Sequence, residues 1–244
     1  MSRPRLLFNF HSVNVTNDAA LSSKASKGAN SASITQSTSG NQPQSKASST
    51  SSSSQNSSAT LLPFVSSIVC DGSDFMSLAS SETIPSTTPY TIVCAWTAGD
   101  YTNDSFIISS SSNNAHYGIE AGGDGIIAKP NGSKAAAAAR TFATNNTNNS
   151  TISYTFGSDV ETLVIVNNGD LSLDFYNIDG AKIASVSGSS GMNGSFPIDH
   201  FLGKSDGTKG MNAEVLHISV YSNVQWNAGT ARAYGNWAKS KKDQ

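Results

Sequence analysis

Candidate catalytic residues in this 244-residue chain are scattered singly. Glycoside hydrolysis needs two carboxyl groups flanking the scissile bond, about 5–5.5 Å apart in a retaining enzyme. The glutamates stand far apart in sequence, at Glu82, Glu120, Glu161 and Glu214. The four histidines show no metal-ligand spacing. We therefore predict a protein that is not an enzyme.

One segment, Gly-Asp-Tyr-Thr-Asn-Asp-Ser at 99–105, carries residue types that suit a sugar ligand. An aromatic side chain offers an apolar face with a polar tip, and Tyr101 has polar neighbours that can hydrogen-bond to a sugar. Tyr117 is expected nearby, across a hairpin. We predict Tyr101, Asn103 and Tyr117 as carbohydrate contacts and place Trp96 in the core. Ordinary packing of Tyr101 is the alternative.

The chain begins with a basic and apolar peptide, residues 1–16. Its apolar run is shorter than the 7–15 residues of a secretory signal core, and no stretch approaches the roughly 20 apolar residues of a membrane span. We predict synthesis in the cytoplasm and no membrane insertion. We predict that the peptide docks into a partner's groove, through Arg3, Arg5, Leu6, Leu7, Phe8 and Phe10. A chance apolar cluster in an N-terminal tail is the alternative.

Residues 17–60 are predicted to form a flexible linker. Serine fills 16 of these 44 positions, so the segment has too little apolar surface to offset the entropy of ordering. Residues 1–60 carry five Lys and Arg against one acid, and the remainder carries ten against sixteen. The net charge of −2 gives no indication of nucleic-acid binding.

From Leu61 onwards, short apolar runs alternate with turn residues about every ten positions. They lie at 64–70, 74–80, 90–96, 105–110, 115–121, 125–129, 137–144, 151–156, 161–167, 171–177, 181–187, 196–203 and 213–221. Such a rhythm predicts an all-β sandwich over residues 61–244. Alternation places Ile92 and Trp96 on one strand face, and Val215 and His217 together on another.

A short C-terminal helix is predicted from the three-residue recurrence of Ala231, Tyr234 and Trp237. The two cysteines, Cys70 and Cys94, are interpreted as buried, reduced thiols, as is common for free cysteine. A disulfide between them is left open.

Three stretches together resemble the concanavalin A-like jelly rolls, especially the laminin G-like modules of the kind found in bacteriophage virion proteins. They are PYTIVCAWTAG (89–99), SFIISSSSNNAHYGIEAGGDG (105–125) and the closing stretch 201–238. The resemblance covers residues 61–244. It implies a jelly-roll sandwich with a short C-terminal helix. The Ser-rich tether that precedes it is predicted to be disordered from its composition.

The resemblance also bears on chemistry. Glycosidases of this fold class carry Glu-x-Asp-x-x-Glu on one strand, which this sequence lacks. Many modules of the family bind Ca²⁺ through loop oxygens, and Ca²⁺ takes 6–8 of them. The candidate ligands here are Asp100 and Asp104, with hydrogen-bonded turn residues as the alternative. No other cofactor is expected.

The first functional hypothesis is a non-enzymatic virion protein, a capsid decoration or tail-associated protein located on the particle. The N-terminal peptide would hold the jelly roll to a capsid or tail protein, and self-association into a homo-oligomer is left open. The alternative is a carbohydrate-binding or adhesion module that recognises surface glycans. A polysaccharide hydrolase ranks third because the acid pair is missing.

Overall fold

The computed structural model describes residues 64–85, 87–111, 115–119, 121–123, 125–129, 154–157, 159–170, 172–187, 195–204 and 206–241, and the backbone of short strands before residue 64. The chain forms two antiparallel sheets packed face to face, with one helix near the C-terminus. The all-β sandwich and the C-terminal helix predicted from the sequence are confirmed. Within these residues, no helix is long and apolar enough to cross a membrane.

The strands that precede residue 64 are short: β1 (Leu6–Asn9), β2 (Val13–Asn14), β3 (Ser26–Lys27), β4 (Asn30–Ser31), β5 (Ile34–Thr35) and β6 (Gln44–Ala47). The later elements are β7 (Phe64–Asp71), β8 (Met76–Ile84), β9 (Tyr90–Asp100), β10 (Ser105–Ser109), β11 (His116–Ile119), β12 (Ile126–Lys129), β13 (Glu161–Asn167), β14 (Ser172–Tyr176), β15 (Lys182–Ser187), β16 (Phe196–Phe201), β17 (Asn212–Ser222) and α1 (Ala228–Lys239).

The larger sheet runs β15-β14-β13-β9-β17. The far edge of β17 is shared by two strands, because β7 pairs with residues 212–215 and β1 pairs with residues 217–220. The smaller sheet runs β12-β11-β10-β16-β8-β5. The apolar faces of the two sheets meet in one continuous core.

Strand β9 is buried on both faces. Ile92 and Trp96 point into the core between the sheets, as the alternation predicts. Val93 and Ala95 point to the opposite face, where they pack with Ala231 of α1. The helix therefore covers the outer face of the larger sheet, which the alternating sequence pattern alone did not indicate.

Strand β17 departs from the predicted alternation. The prediction that Val215 shares a face with His217 is wrong, because a β-bulge interrupts the ladder between these two residues. Val215 lies in the inter-sheet core with Ile218, whereas Leu216 packs on the helix side. A bulge adds one residue to a strand, so the residues after it face the opposite way from the simple alternation.

Both cysteines are free and buried, as interpreted from the sequence. Cys70 lies on β7 and Cys94 on β9, and both belong to the inter-sheet core. Burial raises the pKa of each thiol above its ordinary value, so both thiols are protonated and unreactive at neutral pH.

Helix α1 is capped by Asn227, whose side chain accepts a hydrogen bond from the Thr230 N–H at 3.0 Å. Its buried face includes the predicted Ala231 and Tyr234. Gly235 sits where the helix backbone approaches the Ile178 carbonyl so closely that a Cβ would overlap the oxygen. The close approach lets the helix seal the outer face of the sheet.

We expect Gly235→Ala to lower the free energy of unfolding by about 1–3 kcal/mol, the usual cost of overpacking a tight contact. Denaturant unfolding measures this change. Gly229→Ala is the matched control on the same helix, since a Cβ there meets only the Asn227 Oδ1, at 3.3 Å. Equal effects from the two substitutions would contradict the proposed contact.

Candidate ligand-binding rim around Tyr101

Three connecting segments converge at one end of the sandwich. The Gly122 N–H donates to the Tyr101 carbonyl at 2.7 Å, which ties the β11–β12 connection to the β9–β10 loop. The Phe156 N–H donates to the Gly123 carbonyl at 2.8 Å, which adds the segment before β13. The Tyr101 hydroxyl donates to the Gly157 carbonyl at 3.3 Å. We call this convergence the Tyr101 rim.

The Tyr101 ring is fixed in place although it remains partly exposed. The Trp96 indole N–H, at the buried end of β9, donates to the Tyr101 hydroxyl oxygen at 2.7 Å. Gly123 lies against the ring with a positive φ of 72°, and a Cβ there would come within 2.6 Å of the Tyr101 Cδ2. Burial raises the pKa of Tyr101 to about 12, so the hydroxyl stays protonated.

The buried carboxyl group of Glu161 holds two residues of the rim segment before β13 by hydrogen bonds. Glu161 accepts the Gly157 N–H at 2.8 Å and the Tyr154 hydroxyl at 3.1 Å. Burial is the main cause that raises the pKa of Glu161 above its ordinary value. Phe156 packs edge-on against Tyr154, with ring centroids 4.8 Å apart, and also contacts the Tyr101 ring.

The outer edge of the rim is polar. Thr102 and Asn103, which follow Tyr101 in the β9–β10 loop, are exposed. The Asp100 Oδ1 accepts hydrogen bonds from the Thr102 N–H (3.1 Å) and hydroxyl (2.8 Å). The Asp100 Oδ2 accepts from the Asn212 side-chain amide at 3.1 Å. The loop that carries the fixed Tyr101 ring is therefore polar and exposed at its outer edge.

Asp104, the other candidate calcium ligand, makes structural contacts. It accepts the Ala121 N–H at 3.1 Å and forms an ion pair with Lys209 at 3.0 Å. Within the described ranges, no three His, Cys, Asp or Glu side chains group as a metal site. Calcium binding by Asp100 and Asp104 stays a prediction.

Tyr117 does not join the rim. Its ring is fully buried in the inter-sheet core, and its hydroxyl lies 2.6 Å from the Tyr90 hydroxyl. Tyr117 was predicted as a sugar contact on the expectation that the hairpin would bring it beside Tyr101. The alternation of β11 instead turns Tyr117 inward together with Ile119, so its ring offers no surface to a sugar.

The N-terminal docking residues are only partly described. Leu6, Leu7 and Phe8 lie in β1, which pairs with the chain's own β17. Arg3, Arg5 and Phe10 lie outside the described residues. Docking of this peptide to a capsid or tail protein stays a prediction.

The contribution of the segment before β13 to the rim does not follow from the sequence pattern. A strand was predicted over 151–156, but its described part, residues 154–156, connects strands without joining a sheet. Its aromatic residues serve the rim rather than a sheet face. Tyr154 and Phe156 alternate with polar residues, and this pattern is also typical of a β-strand. The pattern therefore could not identify the segment as part of the rim.

His200 and His217 make their hydrogen bonds with residues outside the Tyr101 rim. His200 pairs with Asp199 at 2.5 Å on β16, and His217 is hydrogen-bonded to the Tyr234 hydroxyl at 2.7 Å. Ser109 is opposite His200 in register, but its hydroxyl donates to the Gly203 carbonyl at 2.7 Å. That hydrogen bond leaves Ser109 and His200 without the nucleophile–base contact that nucleophilic catalysis requires.

No protein-family model and no curated protein matches this chain. Among solved structures, the chain is similar to the binding domain of Paraclostridial Mosquitocidal Protein 1, with 14% identity and a TM-score of 0.54 over 96% of this chain and 52% of that one. It is also similar to an arabinofuranosidase in complex with arabinofuranosyl-α-1,2-xylobiose, with 10% identity and a TM-score of 0.50 over 72% and 41% of the two chains. The chain thus spans about half the length of these structures. At such identities the likeness shows the β-sandwich fold alone.

Glu161→Gln tests the buried carboxyl of the rim. The raised pKa means that the folded state favours the protonated carboxyl, so Glu161's contribution to stability is full below its unfolded-state pKa and is lost as the pH rises through its folded-state pKa. Glutamine keeps an acceptor for the Gly157 N–H without a charge. We expect the variant's melting temperature to exceed the wild type's at pH 7.5, with a difference that shrinks towards pH 4.

A Glu161→Gln difference that stays constant across the pH range would contradict the assigned cause of the shift.

Proposed function

We propose that this protein is a non-enzymatic glycan-binding module that contacts its ligand at the Tyr101 rim. The observation that carries the proposal is the fixed, partly exposed Tyr101 ring, which exposed polar residues follow in the same loop. An aromatic face contacts the apolar face of a sugar ring, while amide and hydroxyl groups bind its hydroxyls. Thr102 and Asn103 supply those polar groups.

The rigidity of the ring supports a binding role. Trp96 and Gly123 restrict the Tyr101 side chain before any ligand arrives, so little conformational entropy is lost when a ligand contacts it. Such preorganisation raises affinity without new contacts. The arrangement suits weak, repeated binding of an extended glycan better than enclosure of a small molecule, because the rim lies at the edge of the sandwich.

The structurally similar proteins make carbohydrate the first ligand class to test. One was solved with a bound arabinofuranosyl-xylobiose, and the other is the binding domain of its protein. A virion location, with residues 1–16 bound to a capsid or tail protein, is a separate prediction from the sequence. It is compatible with this proposal, since a particle-borne module can hold its particle to a surface glycan.

A glycan array probed with the full chain, with and without Ca²⁺, tests the proposal. The array should include arabinoxylan oligosaccharides alongside animal and microbial glycans. We expect binding to at least one class, and we expect Tyr101→Ala to weaken it about tenfold, which equals about 1.4 kcal/mol. Tyr101→Phe should bind better than Tyr101→Ala because it keeps the ring.

Two matched variants test whether a glycan binds at the rim or elsewhere on the surface. Replacing Asn103 by alanine should weaken binding, whereas Asn236→Ala on the exposed side of α1 should leave it unchanged. Circular dichroism checks that each variant is folded. Absence of binding in both conditions would refute glycan recognition, and binding that is insensitive to Tyr101→Ala would refute the rim as its site.

A further inference from the structure

The loop between β17 and α1 is fixed against the start of β9, at the other end of that strand from the Tyr101 rim. The Asn223 N–H donates to the Pro89 carbonyl at 2.7 Å. The Thr91 hydroxyl donates to the Val224 carbonyl at 2.8 Å and accepts the backbone N–H of Trp226 at 3.2 Å. These hydrogen bonds hold the loop in one conformation without a ligand.

Two aromatic rings border this loop. The rings of Tyr221 and Trp226 contact each other with their centroids 5.1 Å apart, and Trp226 packs edge-on against Tyr234 of α1 at 5.6 Å. Both rings are partly exposed, since they pack at the margin of the apolar cluster between the helix and the sheet. We call these two rings the Tyr221–Trp226 pair.

The polar atoms of the Tyr221–Trp226 pair take no part in holding the fold together. Within the described residues, neither the Tyr221 hydroxyl nor the Trp226 indole N–H makes a hydrogen bond, and neither atom is buried. The indole N–H of Trp96 and the hydroxyl of Tyr234 are, by contrast, both hydrogen-bonded. The pair therefore presents two ring surfaces together with a hydroxyl and an N–H donor that are available to a ligand.

The chain around the pair is neutral and rich in amides. Residues 221–231 contain no Asp, Glu, Lys or Arg. Asn223 and Gln225 are exposed in the same loop. The Gln225 side-chain amide N–H donates to the Asn168 carbonyl at 2.9 Å, which leaves its side-chain oxygen as an acceptor. An uncharged ligand with many hydroxyl groups suits this segment, whereas a charged ligand has no ion partner in it.

We propose that the Tyr221–Trp226 pair is a second carbohydrate site of this protein and that it binds uncharged glycans. A sugar lies with its apolar face on the rings, and the indole N–H, the tyrosine hydroxyl and the loop amides bind its hydroxyl groups. This site has its own residues and does not depend on glycan binding at the Tyr101 rim.

The two sites lie at opposite ends of one strand. Tyr221 is paired with Thr91 near the start of β9, whereas the Tyr101 rim follows its last residue, Asp100. At about 3.3 Å per residue, the ends of this 11-residue strand are roughly 30–35 Å apart. A glycan bound at one site therefore leaves the other accessible, and one molecule can join two glycan chains.

A glycan array probed with the full chain carrying Tyr101→Ala tests the second site, because this variant lacks the ring of the rim. We expect it to bind at least one uncharged glycan. Added to this chain, Tyr221→Ala should weaken that binding about tenfold through loss of the ring contact. Trp226→Phe keeps a ring but removes the indole N–H, and should weaken it about fivefold, as expected for one hydrogen bond.

Acrylamide quenching of tryptophan fluorescence locates the bound glycan. Trp96 is completely buried, so the quenchable tryptophans are the partly exposed Trp226 and Trp237. The glycan selected on the array should shield the Tyr101→Ala chain from acrylamide, and Trp226→Phe should abolish the shielding. Trp237→Phe is the matched control, since its ring contacts Tyr234 and His217. It should keep both the affinity and the shielding.

Circular dichroism checks that each variant is folded, and the same substitutions in the wild-type chain serve if Tyr101→Ala is not. Loss of all glycan binding in the folded Tyr101→Ala chain would overturn the second site and leave the rim standing. Binding that is insensitive to Tyr221→Ala and Trp226→Phe in either background would also overturn it. Retained binding confined to charged glycans would contradict the assigned ligand class.

Discussion

The pairing of β9 with β13 and β17 is the constraint on which the rest of the structure depends. Strand β9 has a hydrogen-bonded neighbour on each side, the smaller sheet against one face and α1 near the other. Every side chain from Thr91 to Trp96 is completely buried as a result. A strand enclosed on four sides cannot shift register without exposing apolar residues or burying polar ones, so its ends are fixed in space.

The Tyr101 rim follows from that fixed end. Trp96 is the last fully buried residue of β9, and its indole N–H needs a partner because an unpaired buried donor is costly. The Tyr101 hydroxyl, five residues on, supplies it. Because the buried Trp96 indole N–H needs a hydrogen-bond acceptor, its position determines where the Tyr101 ring lies. The Tyr101 ring is therefore held in place by packing rather than by additional structure in the loop.

The sequence predicted the positions of the strands better than the contacts that the strands make with one another. Strand β13 was predicted at its observed bounds, and β9 at its observed start, because apolar runs bounded by turn residues give a strong local signal. The bulge in β17 was not predictable, since it depends on how neighbouring strands pair. The inward orientation of Tyr117 was missed because alternation alone does not say which face of β11 lies in the core. In the candidate site, Tyr101 and Asn103 could be singled out by residue type. Glu161 and Gly123 could not, because their roles arise from contacts between segments distant in the chain.

The pairing of β1 with β17 joins residues near the two ends of the sequence. During synthesis, Leu6 leaves the ribosome more than two hundred residues ahead of Val220. At translation rates of about 5–20 residues per second, the N-terminal strand waits roughly 10–40 s for its partner. An apolar segment left unpaired for that time is a hazard for aggregation. The residues that follow it in sequence, 17–60, are rich in serine, so the waiting strand is joined to polar sequence rather than to further apolar residues.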